Sequence, residues 1–89
     1  MNDYPPFRMK CETINYRKGF LEVTPAIHDQ CVNIELWEID AETNISDARW
    51  VDDIPGTAVV SNCELEMTTN EARRLVEALL AALERINPE

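Results

Sequence analysis

The stretch Cys31–Glu42, C-V-N-I-E-L-W-E-I-D-A-E, constrains the fold more than any other, because its apolar alternation changes phase midway. Val32, Ile34 and Leu36 take even positions; Trp37, Ile39 and Ala41 take odd ones. Successive side chains of a strand point to opposite faces of its sheet, so a regular strand would be buried on different faces at its two ends. The other solution is a β-bulge near Leu36–Trp37, one extra residue that resets the alternation. All six apolar residues then face the core, and Asn33, Glu35, Glu38, Asp40 and Glu42 face outward as a ridge with four carboxylates.

Two shorter strands are expected before it. Phe7, Met9 and Cys11 alternate with Arg8, Lys10 and Glu12 after an irregular arm over residues 1–6, where Pro5-Pro6 blocks a regular start. Asn15–Gly19 reads as a turn with a basic tip, and Phe20–Thr24 as a second strand stopped by Pro25. Ala26–Gln30 connects it to Cys31. Thr43–Gly56 is expected to be a loop with one short strand, closed by the turn Asp52-Asp53-Ile54-Pro55-Gly56.

The last third is the most legible. Val59, Ser61, Cys63, Leu65 and Met67 share one parity and Asn62, Glu64 and Glu66 the other, which predicts a strand with an acidic outer face. Thr68 and Glu71 stand at capping-box spacing, each able to satisfy a backbone N–H that the first helical turn leaves orphaned. Ala72, Leu75, Val76, Leu79, Leu83 and Ile86 recur at helical spacing, so a helix is expected over residues 69–86, ended by Asn87-Pro88. Its apolar stripe widens to roughly 160° with Leu80 and Ala82, leaving room for a dimer contact along one edge. Leu65–Glu84, L-E-M-T-T-N-E-A-R-R-L-V-E-A-L-L-A-A-L-E, resembles the strand, Thr/Ser cap and Leu/Ala-rich helix that close many small uncharacterised bacterial and phage proteins. The resemblance implies a type of protein and no activity.

These elements predict one α+β domain over residues 1–89: about four antiparallel strands with one C-terminal α-helix packed on one face, leaving an acidic face to solvent. The charge supports such a face. The net charge is −9, but residues 1–20 carry net +2, residues 21–72 net −11, and residues 73–89 cancel. A field of this sign repels nucleic acid and anionic membranes and speeds encounter with basic surfaces. No apolar run approaches the roughly 18 residues of a membrane span. The N-terminus has no apolar segment of secretory type, and three cysteines cannot all pair within one chain, so reduced thiols and a cytoplasmic setting are expected.

The chemistry-bearing residues are few. His28-Asp29-Gln30-Cys31 is an H-x-x-C half-site that Cys11 and Cys63 could complete for zinc, but neither lies in a paired C-x-x-C, and small buried cysteines on strands are commonplace. Glu38, Asp40 and Glu42 with Asp52-Asp53 lack the spacing and the glycine of a calcium loop. A solvated acidic face is the simpler reading. A lone His28, three residues from Cys31, with no glycine-rich phosphate loop or G-x-S-x-G elbow, gives catalysis little support. No metal, cofactor or enzymatic activity is expected. Trp37 is assigned to the core, while Trp50 is either packed within its loop or an exposed interface anchor.

The expected function is therefore protein binding. Glu35, Glu38, Asp40, Glu42, Trp50, Asp52, Asp53, Glu64 and Glu66 would dock on a basic surface of a partner that handles nucleic acid, their carboxylates imitating a row of phosphates. That is the logic of phage-encoded inhibitors such as anti-CRISPR proteins and other nucleic-acid mimics. The alternative is a structural or assembly protein that homodimerises through the helix or a strand edge, its charge serving solubility.

Overall fold

The front of the sheet is covered by a loop and its back is open. In the computed structural model, which describes residues 5–25 and 28–86, four antiparallel strands lie side by side in chain order. They are β1 (Phe7–Cys11), β2 (Lys18–Pro25), β3 (Cys31–Ile39) and β4 (Val59–Thr68), followed by the helix α1 (Thr69–Ile86). This is the expected α+β arrangement. Residues 1–4 of the arm, residues 26–27 of the connection and the stop at Asn87-Pro88 lie outside the described residues. No helix among those described is long and apolar enough to cross a membrane.

β3 resolves its own phase change without a bulge at Leu36–Trp37. It pairs without interruption with β2, from Lys18 opposite Ile39 to Pro25 opposite Val32. The register shift falls instead on β4: Glu38 faces Ser61 and Ile39 faces Val59, leaving Val60 without a counterpart. Residues directly opposite share a face, so Val32, Ile34 and Leu36 lie on the back and Trp37 and Ile39 on the front. The strand is apolar on different faces at its two ends. The bulge also carries Val59 to the front beside Ile39, while Cys63, Leu65 and Met67 stay on the back.

The front core is small. Phe20 and Ile39, each 2% exposed, pack with Ile45, Ala48 and Ala58 from the loop over residues 40–58, and Trp37, Trp50, Val51, Ile54 and Val59 close around them. The loop holds two 3₁₀ turns, Val51–Asp53 and Gly56–Ala58, where a short strand was expected. Two lysines pin it to the sheet. Lys10 Nζ donates to the carbonyls of Ile45 (2.9 Å), Ser46 (3.1 Å) and Ala48 (2.9 Å). Lys18 Nζ, from a buried side chain, donates to Asn15 Oδ1 (2.8 Å) and the Ala41 carbonyl (3.2 Å). Loop carbonyls that no strand satisfies thus gain ammonium donors, Ile45 in addition to the Ala48 N–H it already accepts.

The helix begins where the capping box places it: Glu71 N–H donates to Thr68 Oγ1 (3.2 Å) and Thr68 N–H to Glu71 Oε1 (3.0 Å). It does not cover the sheet. Only Thr69 and Ala72 are half-buried, and every other residue of α1 is exposed, including Val76, Leu79, Leu80, Leu83 and Ile86. The stripe expected to form the core with the inner strand faces is bare, because the loop over residues 40–58 takes that role on the opposite face.

Candidate functional site

Every carboxylate on the acidic half of the sheet front is set by strand parity. Arg8, Glu22, Glu35 and Glu64 form one cross-strand row, and Thr24, Asn33 and Glu66 form a second. Four glutamates from β2, β3 and β4 therefore stand on one face, with Glu35 directly opposite Glu64. Like charges so placed cost stability, and the neighbouring side chains offset it. Arg8 Nε donates to Glu22 Oε2 (2.8 Å). Asn33 Nδ2 donates to Glu64 Oε2 (2.8 Å), and Asn62 Nδ2 to Glu35 Oε2 (3.1 Å). His28 Nδ1 meets Glu66 Oε2.

The loop over the other half of the front extends the acidic side. Glu42, Asp47, Asp52 and Asp53 are exposed there, and Asp40 is half-buried at its root. Two of these also hold the loop's shape. Asp40 Oδ1 accepts from Glu42 N–H (3.2 Å), and Asp53 Oδ2 accepts from the backbone N–H groups of Arg49 (2.7 Å) and Trp50 (3.2 Å).

Two expected members of the docking surface stand elsewhere. Glu38 shares its row with Cys11, Gly19 and Ser61 on the back, where Arg17 Nη1 lies 3.7 Å from its carboxylate. Without a bulge at Leu36–Trp37, Glu35 and Glu38 fall on opposite faces, and the ridge of four carboxylates along β3 does not form. Trp50 is packed within the front rather than presented to solvent. Its ring meets Phe20 edge-on at 5.3 Å and Trp37 at 5.4 Å, and the Arg8 guanidinium lies 4.5 Å above it. Sequence reasoning missed Glu22 and Arg8. Their signal was the shared parity of Glu22 with Phe20, legible once Phe20 is placed in the core.

The H-x-x-C half-site is a turn. Cys31 N–H donates to the His28 carbonyl (3.0 Å), and the His28 ring is taken by Glu66. Cys11 and Cys63 are exposed rather than buried, on the outermost strands β1 and β4. Among the described residues no three His, Cys, Asp or Glu side chains converge to hold a metal ion. The apolar back is the other conspicuous surface. Phe7, Val23, Ile34 and Leu65 form one row and Met9, Leu21, Leu36 and Cys63 the next, with Val32 opposite Met67 beyond them. Comparison with known proteins found no matching family model, no matching curated protein and no matching solved structure.

Proposed function

We propose that this protein is a binding module whose acidic front docks on a basic surface of a protein partner, one that itself handles nucleic acid. The observation that carries the reading is the placement of Glu22, Glu35, Glu64 and Glu66 on one sheet face, where among the described residues only Arg8 and His28 form salt bridges with them. Strands about 4.8 Å apart set neighbouring carboxylates on a regular grid, which a row of Lys and Arg side chains can match much as it matches phosphates. The exposed acids of the adjoining loop widen the negative field and steer encounter. An inhibitor that occupies a nucleic-acid groove needs no more than this.

The test is retention of proteins from a bacterial lysate on the immobilised chain, compared with a Glu35→Gln/Glu64→Gln/Glu66→Gln variant. The reading expects basic, nucleic-acid-binding proteins that are held at low salt, released by added salt and lost with the triple substitution. Retention indifferent to salt and to the three amides would refute it.

A further inference from the structure

We propose that two copies of this chain join back to back, each α1 lying across the open back of the other copy's sheet. The chain carries two apolar surfaces that do not meet within one copy. One is the back of the sheet, where Phe7, Met9, Leu36 and Leu65 are exposed around the half-buried Leu21, Val23, Val32, Ile34 and Met67. The other is the stripe of α1. β4 passes into α1 with no linker residue, Thr68 directly to Thr69, and beyond Ala72 no residue of the helix is even half-buried.

The area left open matches what a dimer needs. The chain exposes 7132 Å², whereas a monomer of its 10.2 kDa mass ordinarily exposes about 5300 Å². The excess of about 1800 Å² is more than twice the roughly 800 Å² that each partner contributes to a standard interface. Its radius of gyration of 14.9 Å exceeds the about 12 Å of a compact domain this long. Both quantities belong to a chain less compact than a monomer of its size ordinarily is.

Shape and charge name a second copy as the occupant. An 18-residue helix is about 27 Å long, enough to cross four strands spaced about 4.8 Å apart. Gly19 leaves a shallow groove of about 330 Å³ on the back, beside Leu21, Leu36 and Cys63, where a helix side chain can seat. The only charges on the back among the described residues are Glu38 and the Arg17 paired with it at one end, and α1 balances Arg73, Arg74 and Arg85 against Glu71, Glu77 and Glu84. Copies that each carry −9 can therefore approach through their least repulsive surfaces and keep their acidic fronts outward. The inference stands apart from whatever those fronts bind.

Sedimentation of the full chain, with Leu79→Glu on the helix and Leu65→Glu on the sheet, tests it. Both leucines are more than half exposed in the single chain. The wild type is expected at twice the chain mass, and each variant to dissociate on the order of a hundredfold more readily, because each contact would bury an unpaired carboxylate. The two variants mixed should associate more tightly than either alone, though less tightly than the wild type, since one of the two helix-on-sheet contacts is then intact. A wild-type chain that sediments as a monomer at tens of micromolar overturns the inference. Dissociation by the helix variant alone, or a mixture that stays monomeric, overturns the helix-on-sheet arrangement. If the glutamate variants fail to fold, Leu79→Gln and Leu65→Thr replace them. The wild-type melting temperature must also rise with protein concentration, and one that does not rise refutes the dimer.

Discussion

Leu36 and Trp37 are neighbours in the chain and stand on opposite faces of the sheet, Leu36 opposite Cys63 on the open back and Trp37 5.4 Å from Trp50 on the covered front. That one step in β3 divides the molecule into a front that is core and acid, and a back that is apolar and bare. The two faces call for different partners, and each can be tested without disturbing the other.

The aromatic contact on the front joins Trp50 to the core through Phe20 and Trp37. Trp50→Ala removes edge-on packing against both Phe20 and Trp37 and the surface under Arg8. It is expected to cost about 3 kcal/mol, the lower end for a large aromatic because Trp50 is only half-buried. Urea titration followed by near-ultraviolet circular dichroism reads both the lost stability and the lost aromatic signal. An unchanged midpoint would mean that the loop does not seal the core.

Lys10→Met keeps the aliphatic stem of the side chain and deletes the donor to three loop carbonyls. Removing a charged donor from acceptors that stay partly buried is expected to cost about 2 kcal/mol. The loop should loosen before the sheet melts. Amide hydrogen exchange can follow this: Ala48 N–H and Asp53 N–H, bonded to the Ile45 and Trp50 carbonyls, should lose protection while the β2–β3 ladder keeps it.

Gly19 lies opposite Glu38 on β3, and a Cβ there would overlap the Trp37 carbonyl. Gly19→Ala must therefore push the two central strands apart, at an expected cost of about 3 kcal/mol. Gly56, with open space around the same position, is the control, and Gly56→Ala should leave the denaturation midpoint nearly unchanged. Equal tolerance at both sites would contradict the register of β2 and β3.

The Glu35–Glu64 pair separates stability from binding. Glu35→Gln relieves a like-charge contact while its carbonyl can still accept from Asn62, so the free protein should gain about 0.5 kcal/mol. The gain should shrink in 1 M salt, where charges are screened within about 3 Å. The same change should weaken attachment to a basic partner. A loss of stability in the free protein would show that the two carboxylates do not repel as placed.

Thr68→Ala removes the hydroxyl half of the capping box and is expected to cost about 1 kcal/mol, read as a lower thermal midpoint with reduced helical signal. Because the stripe of α1 lacks partners among the described residues, the loss should grow on dilution if the helix is held by a second copy.

What the sequence by itself determined was local. The helix bounds follow from apolar spacing and the Thr68–Glu71 cap, and both ends of β3 follow from parity, because side-chain period and capping depend only on residues a few positions apart. The acids Glu35, Glu64 and Glu66 share a face for the same reason. Tertiary structure decided which element covers which face. Leu36 and Trp37 are compatible with a bulge or with a regular strand. The choice rests on whether something packs over Trp37, and that something is a loop whose Ile45, Ala48 and Trp50 carry no periodicity to announce them. Once the loop took the front, Glu38 went to the back, Trp50 packed against Phe20 and Trp37, and α1 was left with an apolar stripe that nothing among the described residues covers.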